Sequence, residues 1–518
     1  MKKRNKNYLA GAIILSAGAI ISKLLGMFFK IPLNDIITDY GMGLYSYAYP
    51  IYSTFLMISI SGLPLAVSKL VSESVSLGNY KQAYRIFYIS FILLAAVGGL
   101  CSIAMFSGAK LFIKAFSWEN EVYYCIVALS FAPFFVSLIS VVRGFFQGMQ
   151  MMTFSAISEI IEQIGRVIIG ILLAYVLTSS RGVALGAAGA TFGAVAGAIL
   201  AFIFLYICFL RIRAKNSPLI AAQPDMHIDA SKTILKHILV IAIPVTFSAV
   251  VTTIMDLINS ATISGCLQTA GYTIKEATTL YGQLSTKGST LVNVPLVLGT
   301  SLATSLVPSV SESVVKGDKA AIRSKASLSI RMAFLVSIPA AVGLSLLAEP
   351  IVKLLWSRTP EGWEMLAGLS YVVVCTIGAS TLQGILQGIG RYYVPLKNLL
   401  AGAVVKYVMN ILLVANPDYG IYGAIFSSVF ASFVIYLLNY YSVKKYVGID
   451  NIGSGMFKTV LASAAMGVAC KFSYEFLCGL MSFKIALLIA IVISVVVYGG
   501  IVLLTKAFTI EDFKNARS

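Results

Sequence analysis

The sequence predicts an all-α polytopic membrane protein: about fourteen transmembrane helices, arranged as two parallel six-helix lobes plus two extra C-terminal helices. Three observations carry this expectation. Of 518 residues, 58% are hydrophobic and only 12% charged, where soluble domains carry roughly 25% charged residues. Apolar runs of about 20 residues recur, each long enough to cross a hydrocarbon core of ~30 Å, whereas a β-barrel would show short alternating segments. The third observation is an internal repeat. Val71-Ser72-Glu73-Ser74-Val75 returns 239 residues later as Val310-Ser311-Glu312-Ser313-Val314, and each copy has a glycine five residues past its Glu, Gly78 and Gly317. Gly144-Phe145-Phe146-Gln147-Gly148 returns as Gly384-Ile385-Leu386-Gln387-Gly388, 240 residues later. Two matches at nearly one spacing indicate a duplicated architecture.

In chain order the first lobe's spans are 8–31, 44–67, 84–106, 122–142, 156–178 and 183–210. Those of the second lobe are 235–263, 280–307, 326–348, 365–386, 394–414 and 420–441, and the two extra spans are 455–477 and 485–506. The N-terminal Lys2-Lys3-Arg4 and the apolar run behind it have the outline of a signal peptide. No small-residue cleavage site follows and Lys23 and Lys30 interrupt the run, so the segment is expected to stay as the first span. The series Gly186, Gly189, Gly193 and Gly197 in the sixth span is read as a surface for close helix packing. Pro64, Pro133, Pro244, Pro295 and Pro339 lie in or near spans, where a missing N–H invites a kink.

Orientation follows from charge. With the N-terminus inside, the cytoplasmic segments hold about 26 of the 39 Lys and Arg and the opposite segments about 8. Both termini are therefore expected to be cytoplasmic, in a multi-pass membrane protein. The net charge of +18 is accounted for by the same bias, without a nucleic-acid partner. Six spans separate the two copies of the repeated pentapeptide, which leaves both on the cytoplasmic side and makes the lobes parallel. The expected organisation is a lobe over 1–210, a cytoplasmic linker over 211–234, a lobe over 235–441, and the last two spans with a cytoplasmic tail over 442–518.

No catalytic constellation is apparent, and the chain is not expected to be an enzyme. His227 and His237 have no metal-ligand spacing, and the seven cysteines are scattered, mostly inside apolar runs. No phosphate loop or nucleophile elbow is present. The informative residues are charges inside spans, each costing about 2.5–3.5 kcal/mol on insertion scales and therefore facing a cavity or a partner. Lys23 and Lys30 are two helical turns apart on one face of the first span, about 10 Å along the axis. The fifth span carries Glu159, Glu162 and Arg166, with Glu162 and Arg166 spaced to form a structural ion pair. The seventh span has Asp256 and Asn259, the eighth Lys287 and Asn293, the eleventh Lys406 and Asn410. Lys23 and Lys287 sit far from span ends without a local acidic partner, which makes them candidate cavity cations. Lys30 also suits an interfacial lysine close to Asp35 and Asp39. Lys406 suits a buried pair as well as a cavity charge.

Several stretches resemble one family. Ser22-Lys23-Leu24-Leu25-Gly26, Gly62-Leu63-Pro64-Leu65-Ala66-Val67-Ser68-Lys69, Arg143-Gly144-Phe145-Phe146-Gln147-Gly148 and Glu162-Gln163-Ile164-Gly165-Arg166 are similar to the stage V sporulation protein B and Gram-positive MurJ-type branch. That branch belongs to the multidrug/oligosaccharidyl-lipid/polysaccharide (MOP) exporter superfamily. The resemblance implies a MATE-like fold, with a cavity lined by spans 1, 2, 7 and 8 and a groove at the two extra spans for a polyprenyl tail. The implied substrate is lipid II, the undecaprenyl-diphosphate-linked peptidoglycan precursor, or a related lipid-linked saccharide, flipped by alternating access. Lys23 matches the cationic position of the family's first span and is the expected diphosphate ligand, with Lys30, Lys287 and Asn293 beside it. Relatives commonly have Arg where this chain has Lys, a point charge in place of a bidentate fork. Asp256 matches an acidic position that some relatives use for a cation, with Asn259, Lys406 and Asn410 as further cavity or coupling residues. No cofactor is implied; coupling stays open between the membrane potential, protons and a monovalent cation. The expected partners are the lipid-linked oligosaccharide, the bilayer and cell-wall synthesis proteins, around a monomer. The alternatives are a MATE-like cation-coupled drug antiporter and, further off, a membrane-embedded glycosyltransferase.

The repeat and the charge bias together make a topological prediction. Single cysteines replacing Gly78 and Gly317 in a cysteine-free background should both resist membrane-impermeant thiol reagents in intact cells. Labelling of only one of the two would contradict the parallel repeat.

Overall fold

The computed structural model describes residues 18, 21–22, 24–221, 228–449 and 453–505. Among them the chain is helical throughout, with no strand. The helices are α1 (Lys30–Ile60), α2 (Leu63–Ser76), α3 (Tyr80–Ala115), α4 (Val122–Leu129), α5 (Ala132–Gly148), α6 (Met152–Arg181), α7 (Val183–Ala221), α8 (Ser231–Thr269) and α9 (Ile274–Gln283). A π-helical turn (Leu284–Gly288) leads into α10 (Ser289–Val315), α11 (Lys319–Leu346), α12 (Ala348–Leu355), α13 (Trp363–Leu369), α14 (Val372–Gly388) and α15 (Tyr393–Met409). A second π turn (Asn410–Val414) precedes α16 (Ile421–Val447), α17 (Gly453–Cys478) and α18 (Phe483–Leu504). Twelve segments among the described residues are long and apolar enough to cross a membrane. The chain is thus a multi-pass helical membrane protein. The first two expected spans appear as one segment, Leu24–Ser76, and the eighth is not among the twelve.

The long first segment is broken where the sequence needs a turn between two spans. Thr38 adopts φ 61°, ψ 176° inside α1, a left-handed backbone that is strained for a β-branched residue. Asn34 donates to Asp39 Oδ1 across this break at 2.9 Å, both side chains buried. Pro64 and Pro133 occupy the first turns of α2 and α5, where a missing N–H costs nothing. They start helices rather than kink them, because the chain breaks just before each. Pro339 does lie inside a helix, α11.

By their contacts the helices form two units, Met1–Ser264 with Ile274–Thr279, and Gly265–Thr273 with Leu280–Ser518. The repeated motifs pack against one another inside each unit. In the first, a Cβ on Gly148 would lie 2.8 Å from Val71, and one on Gly144 2.8 Å from the Pro64 carbonyl. In the second, a Cβ on Gly388 would lie 2.8 Å from Val310, and one on Gly384 2.5 Å from the Ala303 carbonyl. The glycines of one motif are the groove into which the helix bearing the other fits. Helices α5 and α14 start and end 240 residues apart, and each follows a short helix interrupted at Ser130 or Ser370. The glycine past each pentapeptide has positive φ, 76° at Gly78 and 69° at Gly317, the backbone of a helix C-cap. The next residue caps the following helix: Asn79 accepts from the Gln82 N–H and Asp318 from the Ala321 N–H, each at 2.9 Å.

The first unit's core is aromatic. Phe87 and Phe209 stack at 4.1 Å, with Tyr84 and Phe145 each 5.2 Å from a neighbouring ring. Alongside, α6 and α7 meet backbone to backbone, as the glycine series predicts. A Cβ on Gly193 would fall 2.6 Å from the Gly170 Cα, and one on Gly197 2.2 Å from the Glu162 carbonyl. Gly197→Val must therefore push two helices apart, a change that costs about 1–3 kcal/mol or more. It should lower Tm in detergent, while Gly499→Val, where a Cβ meets nothing within 4 Å, should leave it unchanged.

Candidate functional site

Charged side chains inside the spans gather at separate places in each unit. In the first unit, α6 presents Glu162 and Arg166 one turn apart. The Glu162 carboxylate takes Arg143 Nη2 from α5 at 3.0 Å and Arg166 Nη2 at 3.6 Å. Arg143 Nε also donates to Ser158 at 2.8 Å, and Arg166 Nη1 donates to the Tyr49 hydroxyl of α1 at 3.0 Å. Tyr49 stacks on Tyr45 at 5.3 Å and meets Tyr52 edge-on at 5.4 Å. The expected Glu162–Arg166 pair is thus one edge of a network tying α1, α5 and α6. Arg143 was visible in the sequence only as the first residue of the family-like stretch Arg143–Gly148, and the tyrosines as the run Tyr45, Tyr47, Tyr49, Tyr52. Spacing gave no sign that three helices bring them together.

The first span runs alongside this network. A Cβ on Gly18 would lie 3.1 Å from Ala156 and one on Gly26 3.6 Å from Gln163 Oε1, which sets the segment parallel to α6. Lys23 lies outside the described residues. Lys30 is half-buried at the start of α1, and the Asp256 carboxylate of α8 is within electrostatic reach of its ammonium. Asp256 itself is exposed and Asn259, one turn on, is half-buried. The structure therefore brings together a first-span lysine and the seventh-span acid, two residues 226 positions apart.

The second unit places its lysines differently. Lys287 is fully buried in the π turn, where its Nζ donates to the backbone carbonyls of Thr359 at 2.6 Å and Glu361 at 2.8 Å. The sequence suggests a cavity cation here. In the structure the ammonium instead caps two backbone carbonyls of the loop between α12 and α13. Asn293, on α10, is exposed. Lys406 is 5% exposed, and its Nζ donates to Ser428 of α16 at 3.2 Å. One turn on, buried Asn410 accepts a short hydrogen bond from Ser427 at the start of the second π turn. Lys406 and Asn410 thus face α16 together. Among the described residues no group of three His, Cys, Asp or Glu could hold a metal ion.

The two last helices form a further feature. Pro339 and Gly343 of α11, Leu347 just past its end, Met466 and Cys470 of α17, and Ser494 and Tyr498 of α18 border a cavity of about 330 Å³. Its walls are almost wholly apolar, and Tyr498 turns its hydroxyl away to the Leu335 carbonyl at 2.7 Å.

A family model described as polysaccharide biosynthesis protein matches residues 8–314, more than half of the chain. The chain belongs to that family. A second model, MatE, matches residues 286–412. The lipid II flippase MurJ of Bacillus subtilis (strain 168) is 28% identical over 487 residues, covering 89% of this chain and 88% of the relative. Stage V sporulation protein B of the same organism is 24% identical over 467 residues, covering 90% and 88%. A solved lipid II flippase MurJ in an inward closed conformation superposes with a TM-score of 0.66 at 16% identity, over 94% of this chain and 98% of that one. An inward-facing MATE multidrug resistance transporter of the MOP superfamily gives a TM-score of 0.70 at 14% identity, over 85% and 98%. The resemblance read from the sequence motifs is borne out, and the polysaccharide biosynthesis family member has a MATE-like fold.

For this family member the network and the loop cap predict different losses. Glu162→Gln leaves two half-buried guanidiniums without their shared carboxylate, a loss of about 3–5 kcal/mol for a buried pair. Lys287→Met removes both hydrogen bonds of a charged donor, about 1.5–3 kcal/mol each. Thermal melts should fall for both variants; an unchanged Tm for either would show its contact to be dispensable.

Proposed function

We propose that this protein flips a lipid-linked saccharide, in first place undecaprenyl-diphosphate-linked peptidoglycan precursor, across the bacterial plasma membrane by alternating access, without a covalent step. The observation that carries the reading is the pair α17–α18. These helices follow the duplicated part of the chain and close an apolar cavity with α11, a fitting berth for isoprenoid units and a needless one for a soluble drug. The family match and the full-length likeness to a lipid II flippase support the same reading. A MATE-like antiporter is the weaker alternative. The MATE structure has the higher TM-score but covers 85% of the chain, against 94% for the flippase.

The chemistry follows from the cost of moving a diphosphate. Its charges cannot enter hydrocarbon bare, so fixed cations must stand in for water with charge-assisted hydrogen bonds. Lys23, at the family's cationic first-span position, is the proposed diphosphate ligand. Lys30 adds a second positive charge, poised by Asp256, with Asn259 and Asn293 as polar neighbours of the path. Lys287 is set aside, because its ammonium already serves two carbonyls. Lys406 and Asn410 belong to a coupling element that responds to the membrane potential, a proton or a monovalent cation. Both termini are cytoplasmic, and the working unit is a monomer that meets cell-wall synthesis proteins.

Purified protein in vesicles should translocate lipid II. Lys23→Ala should abolish this with Tm unchanged, whereas Lys23→Arg should retain part of it, since charge survives while geometry changes. Gly343→Leu, at a site where a Cβ meets nothing within 4 Å, should fill the apolar cavity and slow transport of the long-tailed substrate while the fold persists. Accumulation of a different lipid-linked intermediate on depletion in cells would reassign the saccharide. A fully active Lys23→Ala would remove that residue from the site.

A further inference from the structure

Arg331 is a charge inside a span that the mechanism above does not use. It stands on α11, just inside the expected ninth span, and is half-buried. Its Nε is buried without an acceptor, and among the described residues its guanidinium makes no hydrogen bond or ion pair. A cation at such a depth is costly unless an anion meets it.

Its surroundings select the anion. One turn on, Leu335 packs against Ala462 of α17 and Val502 of α18, and its carbonyl takes the Tyr498 hydroxyl at 2.7 Å. Residues four apart share a helix face, so Arg331 stands on the side of α11 that these two helices cover. Farther along that face Pro339 begins the wall of the apolar cavity, about 12 Å from Arg331 along the axis. Helix α17 runs in the same direction as α11, since Leu335 meets Ala462 and a Cβ on Gly467 would lie 2.9 Å from Val342. That register brings exposed Lys458 and buried Thr459 to the level of Arg331. The face is therefore graded. Two basic side chains stand at the end expected to be cytoplasmic, and apolar walls follow toward the middle of the membrane.

The duplication offers a comparison within the chain. At an offset of 239 residues, Arg331 corresponds to Ile92 and Pro339 to Leu100 of α3, which are 70% and 68% exposed. In the first unit this face carries an isoleucine and is open. In the second, where α17 and α18 cover it, the same position is an arginine. The charge accompanies the added helices and is no part of the shared scaffold.

We propose that Arg331 is a phosphate-binding residue. With Lys458 it holds the diphosphate of a polyprenyl-linked substrate at the cytoplasmic leaflet, while the first isoprenoid units run along α11 into the cavity. The assignment rests on the flippase reading and adds a loading step ahead of the step at Lys23. A guanidinium takes phosphate oxygens through two parallel N–H donors, and here the edge that carries Nε is free of protein acceptors. A phospholipid has the same phosphate chemistry but brings a single negative charge on paired chains. A polyprenyl diphosphate brings more charge on one chain, matching two cations beside one cavity.

The test is equilibrium binding of radiolabelled undecaprenyl diphosphate to the full chain in detergent, in a Lys23→Ala background that silences the first-span site. Arg331→Gln should weaken Kd about tenfold or more and leave Tm unchanged, because no protein partner is lost. Arg331→Lys should fall between the two, since charge survives without the fork. Undecaprenol, which lacks the phosphates, should bind all three proteins alike. An unchanged Kd for Arg331→Gln overturns the site, and so does a lowered Tm in both variants with binding per folded molecule retained. Phosphatidylglycerol displacing the label as well as unlabelled undecaprenyl diphosphate does overturns the substrate assignment. Lipid II translocation by the unmodified protein separates this proposal from the reading beneath it. Translocation with Arg331-independent binding removes the site alone, whereas Arg331-dependent binding without translocation keeps the site and sinks the flippase reading.

Discussion

The first unit is organised around one carboxylate in a medium that cannot solvate it. Glu162 satisfies its charge with two guanidiniums, Arg143 from α5 and Arg166 from its own helix, and Arg166 extends the network to Tyr49 of α1. Behind Glu162 its backbone carbonyl is packed so closely on Gly197 that α7 is fixed by the same residue. Four helices therefore meet at one position. In water such a cluster would contribute little. In hydrocarbon, where an unpaired charge is costly, it dictates which faces of the helices may turn inward.

The same constraint, met differently, shapes the second half. Both halves keep the glycine grooves, the left-handed glycine after the pentapeptide and the capping Asn or Asp behind it. The polar groups placed on this common scaffold diverge. Position 287 is a buried lysine capping a loop, where the first half has Ala48 at the corresponding place, 239 residues earlier. Trp118 ties α8 to the first unit through its indole N–H, whereas Trp356, 238 residues later, is fully buried with no acceptor for Nε1 among the described residues. Duplication supplied the packing, and the later changes supplied asymmetry. A transporter that carries a substrate with a charged head and a long apolar tail needs such asymmetry, because only one end of the path has to hold the tail.

Two kinds of helix contact coexist in the first unit. Backbone contact between α6 and α7 leaves room for no side chain, while α1 and α8 meet through side-chain hydroxyls, those of Thr54 and Thr253 lying 3.3 Å apart. A membrane protein cannot use hydrophobic burial to decide which helices stay together, since lipid is as apolar as leucine. The distinction has to be written in small residues and hydrogen bonds, and here it is.

Much was legible in the sequence because the bilayer leaves few options. Apolar runs of fixed length must become helices, so the helical membrane fold could be read directly, while the first two expected spans appear as one segment and the eighth is not among the twelve. The repeat was legible because Gly144, Gly148, Gly384 and Gly388 are needed wherever two backbones touch. Intramembrane charges announced themselves by their cost, and the Glu162–Arg166 pair followed from helical spacing alone. What spacing cannot convey is which helices become neighbours. That Arg143 completes the Glu162 network, that Asp256 lies within electrostatic reach of Lys30, and that Lys287 reaches a loop more than 70 residues away were decided by tertiary packing. A lysine in a span signals that it needs a partner. Only the fold determines whether that partner is a carboxylate, a carbonyl, a hydroxyl or a substrate.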